Sequence, residues 1–210
     1  MNYIQLNEHL NKIKIDNLKT GDIILFDERP NNLLFKGFTN LIKYWTKSIY
    51  SHCGYILKNP FGLEGLYIWE SSWHKNLLDP LDNKNKFGVQ VTPLNYYINK
   101  YPGNVNIYIR TKKNNNISDK FLDDIMKTVN NKPYDYNLGD WFCIACKFNK
   151  KRTTKRFWCS ALVSYILCMN GDIHEDTIWT MTTAKDLSSR YKTCIKWNSI
   201  YSEDRLLGYF

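Results

Sequence analysis

No apolar run in this 210-residue chain approaches the roughly 20 residues that a helix needs to cross a bilayer, which excludes a helical membrane-spanning protein. The opening residues Met1-Asn2-Tyr3-Ile4-Gln5-Leu6-Asn7-Glu8 also lack the charged-then-apolar order of a secretory signal peptide. The expectation is a protein kept in the reducing cytoplasm, with its six cysteines mostly free thiols. No internal repeat and no low-complexity tract marks a linker. At 43% hydrophobic and 23% charged residues, the chain predicts one domain over 1–210, with 1–17 as an N-terminal entry segment.

Metal-ligand spacing is nearly absent. Cys143-Ile144-Ala145-Cys146 is a Cys-x-x-Cys, but no second pair and no His-x3-His stands at ligand distance, and a structural zinc needs four ligands. Its flanks Trp141, Phe142, Ile144 and Phe148 are apolar, so a core helix is expected there and no metal. Acidic residues are scarce beside basic ones, 20 against 29, giving a net charge of +9. The densest basic run is Lys150-Lys151-Arg152-Thr153-Thr154-Lys155-Arg156. It predicts a solvated loop that attracts an anionic substrate or an anionic membrane surface. Without interleaved stacking aromatics it does not predict specific nucleic-acid binding.

What is present is a cysteine at the start of a helix. In Phe157-Trp158-Cys159-Ser160-Ala161-Leu162-Val163-Ser164-Tyr165 the apolar positions Leu162, Val163, Ile166 and Leu167 recur at helical spacing, and Asn170-Gly171 supplies a stop. Unpaired backbone N–H groups at a helix start favour thiolate over thiol. Ser51-His52-Cys53-Gly54-Tyr55-Ile56 follows Gly21-Asp22-Ile23-Ile24-Leu25-Phe26 and precedes Tyr67-Ile68-Trp69-Glu70-Ser71-Ser72, three β-rich runs. A histidine on one strand with a carboxylate on the next supplies a base and the group that orients it.

Strands are predicted at 22–26, 53–57, 66–71, 88–92 and 105–110. A packing helix is expected at 35–47, with Phe35, Phe38, Leu41, Ile42 and Trp45 on one face, and another after an N-cap at Ser118. The Asn-, Asp- and Lys-rich stretch 75–86 is expected to be a solvent-exposed loop. Strands first and helices later point to an α+β fold.

The order Gly-Asp-(apolar)4, Ser-His-x-Gly-(apolar), (apolar)-x-Glu, Pro-Tyr-Asp and aromatic-Cys-Ser-x-Leu-Val resembles the circularly permuted branch of the NlpC/P60 superfamily of papain-like cysteine hydrolases. That branch includes bacterial YiiX-like amidases and poxviral proteins. Leu18 to Phe26 is similar to its opening strand, Ser51 to Tyr55 to its histidine strand, Trp158 to Val163 to its nucleophile helix and Lys132-Pro133-Tyr134-Asp135-Tyr136 to its Pro-Tyr element. The resemblance runs from about residue 18 to about residue 190. It implies a permuted papain-like fold, an antiparallel sheet or barrel packed on helices with the nucleophile at a helix N-terminus. It further implies Cys159 as nucleophile, His52 as general base, Glu70 as the orienting group and Tyr134 as an oxyanion or substrate contact.

Two departures stand out. Ala161 replaces the acidic residue common in the nucleophile motif, and Cys53 follows His52 where an aliphatic side chain is usual. Abundant Asn, Lys and Ile incline the resemblance toward viral or intracellular members, in a virion or host cytoplasm.

The expected activity is cleavage of an amide, ester or thioester in a peptide, lipid or other acylated substrate, with no cofactor, by a monomer or dimer. A catalytically silent module of the same fold, binding a peptide, lipid or protein partner in the same cleft, is the alternative.

Overall fold

Ile23, Ile24, Leu25 and Phe26 are consecutive and all fully buried, which requires a strand covered on both faces. The computed structural model describes residues 12–29, 33–74, 76–100, 105–114, 117–135 and 152–208. Within them the strands are β1 (Lys12–Lys14), β2 (Ile23–Glu28), β3 (His52–Lys58), β4 (Leu66–Trp73), β5 (Phe87–Pro93), β6 (Val105–Arg110) and β7 (Arg205–Gly208). They form one seven-stranded sheet in the order β1-β7-β6-β2-β3-β4-β5. Neighbours are antiparallel except β1 and β7. The helices are α1 (Leu33–Thr46), α2 (Leu94–Lys100), α3 (Asp119–Val129) and α4 (Cys159–Met169). The fold is mixed α+β.

The pleat sorts side chains onto two faces. Leu25, Cys53, Tyr55, Leu57 and Trp69 pack against Leu162, Val163 and Ile166 of α4. Ile24, Phe26, Ile56 and Ile68 pack with Leu94 and Tyr97 of α2 on the other side. Gly54 sits on this second face between Ile68 and Ile24. A Cβ there would stand 2.3 Å from Ile68 Cγ2 and 3.2 Å from Ile24 Cγ2. Short branched side chains at the centre of a sheet have little room to yield, so Gly54→Ala should cost about 1–3 kcal/mol by overpacking. The check is the urea unfolding midpoint; an unchanged midpoint would show that the sheet absorbs the methyl group.

Boundaries follow local chemistry. Ser118 accepts the Phe121 N–H as N-cap of α3, with Asp119 in the first turn. In α4 every residue from Ser160 to Cys168 is buried, because the helix is wrapped by the sheet on one side and by the chain after it on the other.

Three expectations need correction. The stretch 75–86 is not wholly exposed: among its described residues Asp79 and Lys86 are buried, with Lys86 Nζ 2.7 Å from Asp79 and 3.0 Å from Asp82. Two opposite charges that satisfy each other fold this polar segment inward. Helix α1 does not bury the whole of its expected packing face, since Leu41 and Trp45 are substantially exposed, as is Tyr44. The entry segment contributes β1, whose pairing with distant β7 has no local sequence signature. Residues 6–11 of that segment, Tyr136, Cys143, Cys146 and their apolar flanks, Lys150 and Lys151 lie outside the described residues.

Candidate active site

Glu70 is fully buried on β4, and an ionised carboxylate there requires several donors. It has four. His52 Nε2 is 2.5 Å and the Tyr97 hydroxyl 2.7 Å from Oε2; His74 Nε2 is 2.9 Å and Thr92 Oγ1 2.6 Å from Oε1. Burial pushes the Glu70 carboxyl up, but the hydrogen bonds and charges of His52 and His74 outweigh it and hold the group far below the ordinary carboxylate range.

His52 is the first residue of β3 and is placed by what precedes it. The Ser51 N–H donates to Phe26 O at 2.9 Å, and the Ser51 hydroxyl donates to Glu28 at 2.9 Å. The His52 ring lies 5.3 Å from the Phe26 ring and 6.4 Å from that of Tyr97. Burial disfavours its charge, yet hydrogen bonding to Cys159 and Glu70, with their negative charge, raises its pKa well above the ordinary histidine value. With Nε2 held by Glu70, Nδ1 is the remaining ring nitrogen.

Cys159 is the first residue of α4 and lines a cleft of about 650 Å³. Its helix start is fastened on two sides. The Ser71 hydroxyl donates to Phe157 O at 2.6 Å. Opposite, Thr182 O accepts from Ser160 Oγ at 2.7 Å and from Trp158 Nε1 at 3.2 Å. The Cys159 thiol is held well below the ordinary thiol range, first by hydrogen bonding from the Cys53 thiol and then, against the cost of burial, by His52. The structure thus joins His52 to Glu70 directly and places Cys159, at the start of α4, where the charge of His52 acts on its thiol.

Tyr134 also lines the cleft. Its segment is stitched between β5 and the nucleophile turn: Tyr134 N–H donates to Phe87 O at 3.1 Å and Asp135 N–H to Phe157 O at 3.1 Å. The Tyr134 ring stacks on Phe87 at 5.3 Å. Burial and the negative charge of Cys159 raise its hydroxyl well above the ordinary phenol value, so it remains a donor. Ala161, by contrast, is buried in the core cluster that includes the strands of the sheet.

Sequence reasoning missed His74, Thr92, Tyr97 and the role of Cys53. The buried carboxylate was the available signal, because one histidine leaves most of its lone pairs unfilled. Among the described residues no group of three or more His, Cys, Asp or Glu side chains is arranged to hold a metal ion. No described helix is long and apolar enough to cross a membrane.

No protein-family model matches this chain, and no curated protein does. Among solved structures, the crystal structure of the metalloprotein YiiX from Escherichia coli O157:H7 resembles it with a TM-score of 0.45 and 21% identity. The alignment covers 71% of this chain and 64% of that one, so the chain spans less than two thirds of the length of YiiX.

Proposed function

We propose that the chain is a cysteine hydrolase or acyltransferase of the circularly permuted papain-like (NlpC/P60) kind. The observation that carries this reading is the buried His52–Glu70 pair, with Nε2 2.5 Å from the carboxylate, beside a cleft-lining Cys159 whose thiol His52 helps to hold below the ordinary range. The Cys159 thiolate attacks the carbonyl carbon of an amide, ester or thioester in a peptide, lipid or other acylated substrate. The displaced π electrons collect on oxygen, facing the backbone N–H of Cys159 and the Tyr134 hydroxyl as donors. As the oxyanion collapses the bond to the leaving group breaks, and the His52 imidazolium protonates that group. Water or a second acceptor, deprotonated by His52, then releases the acyl group and restores the thiolate. Glu70 keeps the ring oriented throughout and balances its charge. The chemistry needs no cofactor.

The test is labelling with a thiol-directed acyl probe. Cys159 should react in preference to the other five cysteines, and Cys159→Ala should lose the label. Uniform labelling would leave only the silent binding module.

The basic run before α4 gives a second expectation. Arg152, Lys155 and Arg156 are exposed, although Arg156 lies 3.7 Å from Asp135 and the Arg152 guanidinium sits over the Trp179 ring at 5.3 Å. Neutralising Lys150, Lys151, Arg152, Lys155 and Arg156 together should weaken binding to anionic vesicles by about 1 kcal/mol for each charge near the surface. The loss should shrink as salt rises. Vesicle sedimentation at low and high salt decides it, and identical binding by both proteins would make the run a plain solvated loop.

A further inference from the structure

A carboxylate that orients His52 needs one oxygen for the task, yet Glu70 carries a second imidazole on the other. His74 Nε2 lies 2.9 Å from Oε1, whereas His52 holds Oε2. The proposed acyl chemistry gives this second histidine no step.

Its place follows from the pleat. Ser72 and His74 follow Glu70 at two-residue intervals where β4 ends, so the three side chains turn to the face that α2 covers. Opposite Glu70 on β5 stands Gln90, whose amide donates to Ser72 Oγ at 2.7 Å, and that oxygen lies 3.0 Å from His74 Nε2. The buried His74 ring stands edge-on to the rings of Tyr96 at 4.8 Å and Tyr97 at 5.5 Å. Tyr97 ties the two histidines together: its hydroxyl donates to Oε2 at 2.7 Å and lies 3.2 Å from His74 Nε2. Behind the ring, the Asn85 amide donates to His74 O at 2.7 Å and pins the backbone. Of the groups that these contacts bring to His74, Glu70 is the charged one. A carboxylate only accepts, so His74 Nε2 bears the hydrogen and donates it.

We infer that His74 is a positioning residue for the His52–Glu70 pair: by filling Oε1 it fixes the plane of the carboxylate and keeps Oε2 aimed at His52. Thr92 shares Oε1 at 2.6 Å, but a hydroxyl hydrogen rotates to suit its acceptor and cannot hold a plane. An imidazole packed on two tyrosine rings can. Loss of His74 acts on His52 in two ways. The carboxylate is freed to turn, and a charge-assisted hydrogen bond weakens steeply as its alignment is lost. A buried carboxylate with fewer donors also takes up a proton more readily. Both changes withdraw support from the His52 imidazolium. The titratable groups that act on that ring are Glu70 from β4 and Cys159 from α4, with Tyr97 of α2 stacked at 6.4 Å.

The inference rests on the reading of Glu70 as the group that orients His52, and its test uses no substrate. The four histidines of the full chain are isotope-labelled and titrated by NMR, with His52 and His74 assigned from the signals lost in His52→Ala and His74→Phe. In His74→Phe, whose ring can pack on the same tyrosines, the His52 midpoint should fall by about one pH unit, a roughly tenfold loss of proton affinity. The His52 Nε2–H resonance should broaden as its carboxylate partner loosens. His74→Gln sets an amide NH₂ where Nε2 stood and should keep the wild-type titration. Circular dichroism confirms each fold; if the phenyl variant does not fold, His74→Asn, whose amide is too short to reach Oε1, takes its place. A His74 that merely fills space would lower the melting temperature and leave the His52 titration unmoved, which overturns the inference. So does a His52 midpoint that rises, because His74 would then act as a competing charge. A Gln variant that titrates like the Phe variant overturns it as well, since the donor to Oε1 would not be what matters. If Cys159 fails to take the acyl probe while His52 still responds to His74, the hydrolase reading falls and this inference stands.

Discussion

Replacing His52 with alanine should slow alkylation of Cys159 by iodoacetamide at pH 6 by roughly tenfold to a hundredfold, an estimate that starts from the ~8.5 pKa of a free thiol. At that pH an ordinary thiol is only about 0.3% thiolate, whereas Cys159, held well below the ordinary range, carries a larger thiolate fraction. The gain in thiolate is partly offset because nucleophilicity falls with pKa, with a Brønsted slope of about 0.4–0.5. Loss of the imidazole removes one of two supports. The Cys53 hydrogen bond remains, so the variant should stay somewhat more reactive than a free cysteine. Near pH 9 the two proteins should converge, since both thiols are then ionised. Superimposable pH profiles for wild type and His52→Ala would rule out an ion pair between Cys159 and His52.

Each partner in that contact carried a local signal in the sequence. Cys159 was legible because four apolar residues at helical spacing and an Asn-Gly stop fix where α4 begins, and a helix start needs only a short window to be seen. His52 and Glu70 were legible as members of neighbouring strands, since β3 and β4 are joined by a short connection and pair as a hairpin. Residues that complete the site from a distance were not. Tyr97 comes from a short helix, Leu94–Lys100, whose formation depends on packing against Ile24, Phe26 and Ile68. Thr92 looks like any strand threonine until β5 is placed beside β4. The buried Lys86 and Asp79 escaped for the same reason: polar composition marks a loop as exposed, and only the tertiary pairing of opposite charges reverses that.

Glu70→Gln should be the most damaging substitution of the site for folding as well as for reactivity. The carboxylate fills four hydrogen bonds at full burial, and an amide of the same shape offers one oxygen and an NH₂ group that donates toward donors. Breaking a buried charged pair in this way costs about 3–5 kcal/mol. At about 2–4 °C per kcal/mol for a chain of this size, the melting temperature should fall by roughly 10 °C.

The pH dependence separates the charge from mere packing. The Glu70 carboxyl is depressed from its ordinary value of 4.5, so its contribution is present above that pH and is lost as pH falls through the folded value. The His52 pKa is raised above its ordinary 6.5, so its contribution is full below that pH and is lost as pH rises through the folded value. The gap in melting temperature between wild type and Glu70→Gln should therefore be widest between about pH 4.5 and 6.5. It should narrow in stronger acid as the wild-type carboxylate is protonated. Thermal unfolding of both proteins from well below pH 4.5 to well above pH 6.5 is the measurement. A gap independent of pH would mean that Glu70 fills space without holding a charged imidazole, and the base assigned to His52 would then lack its anchor.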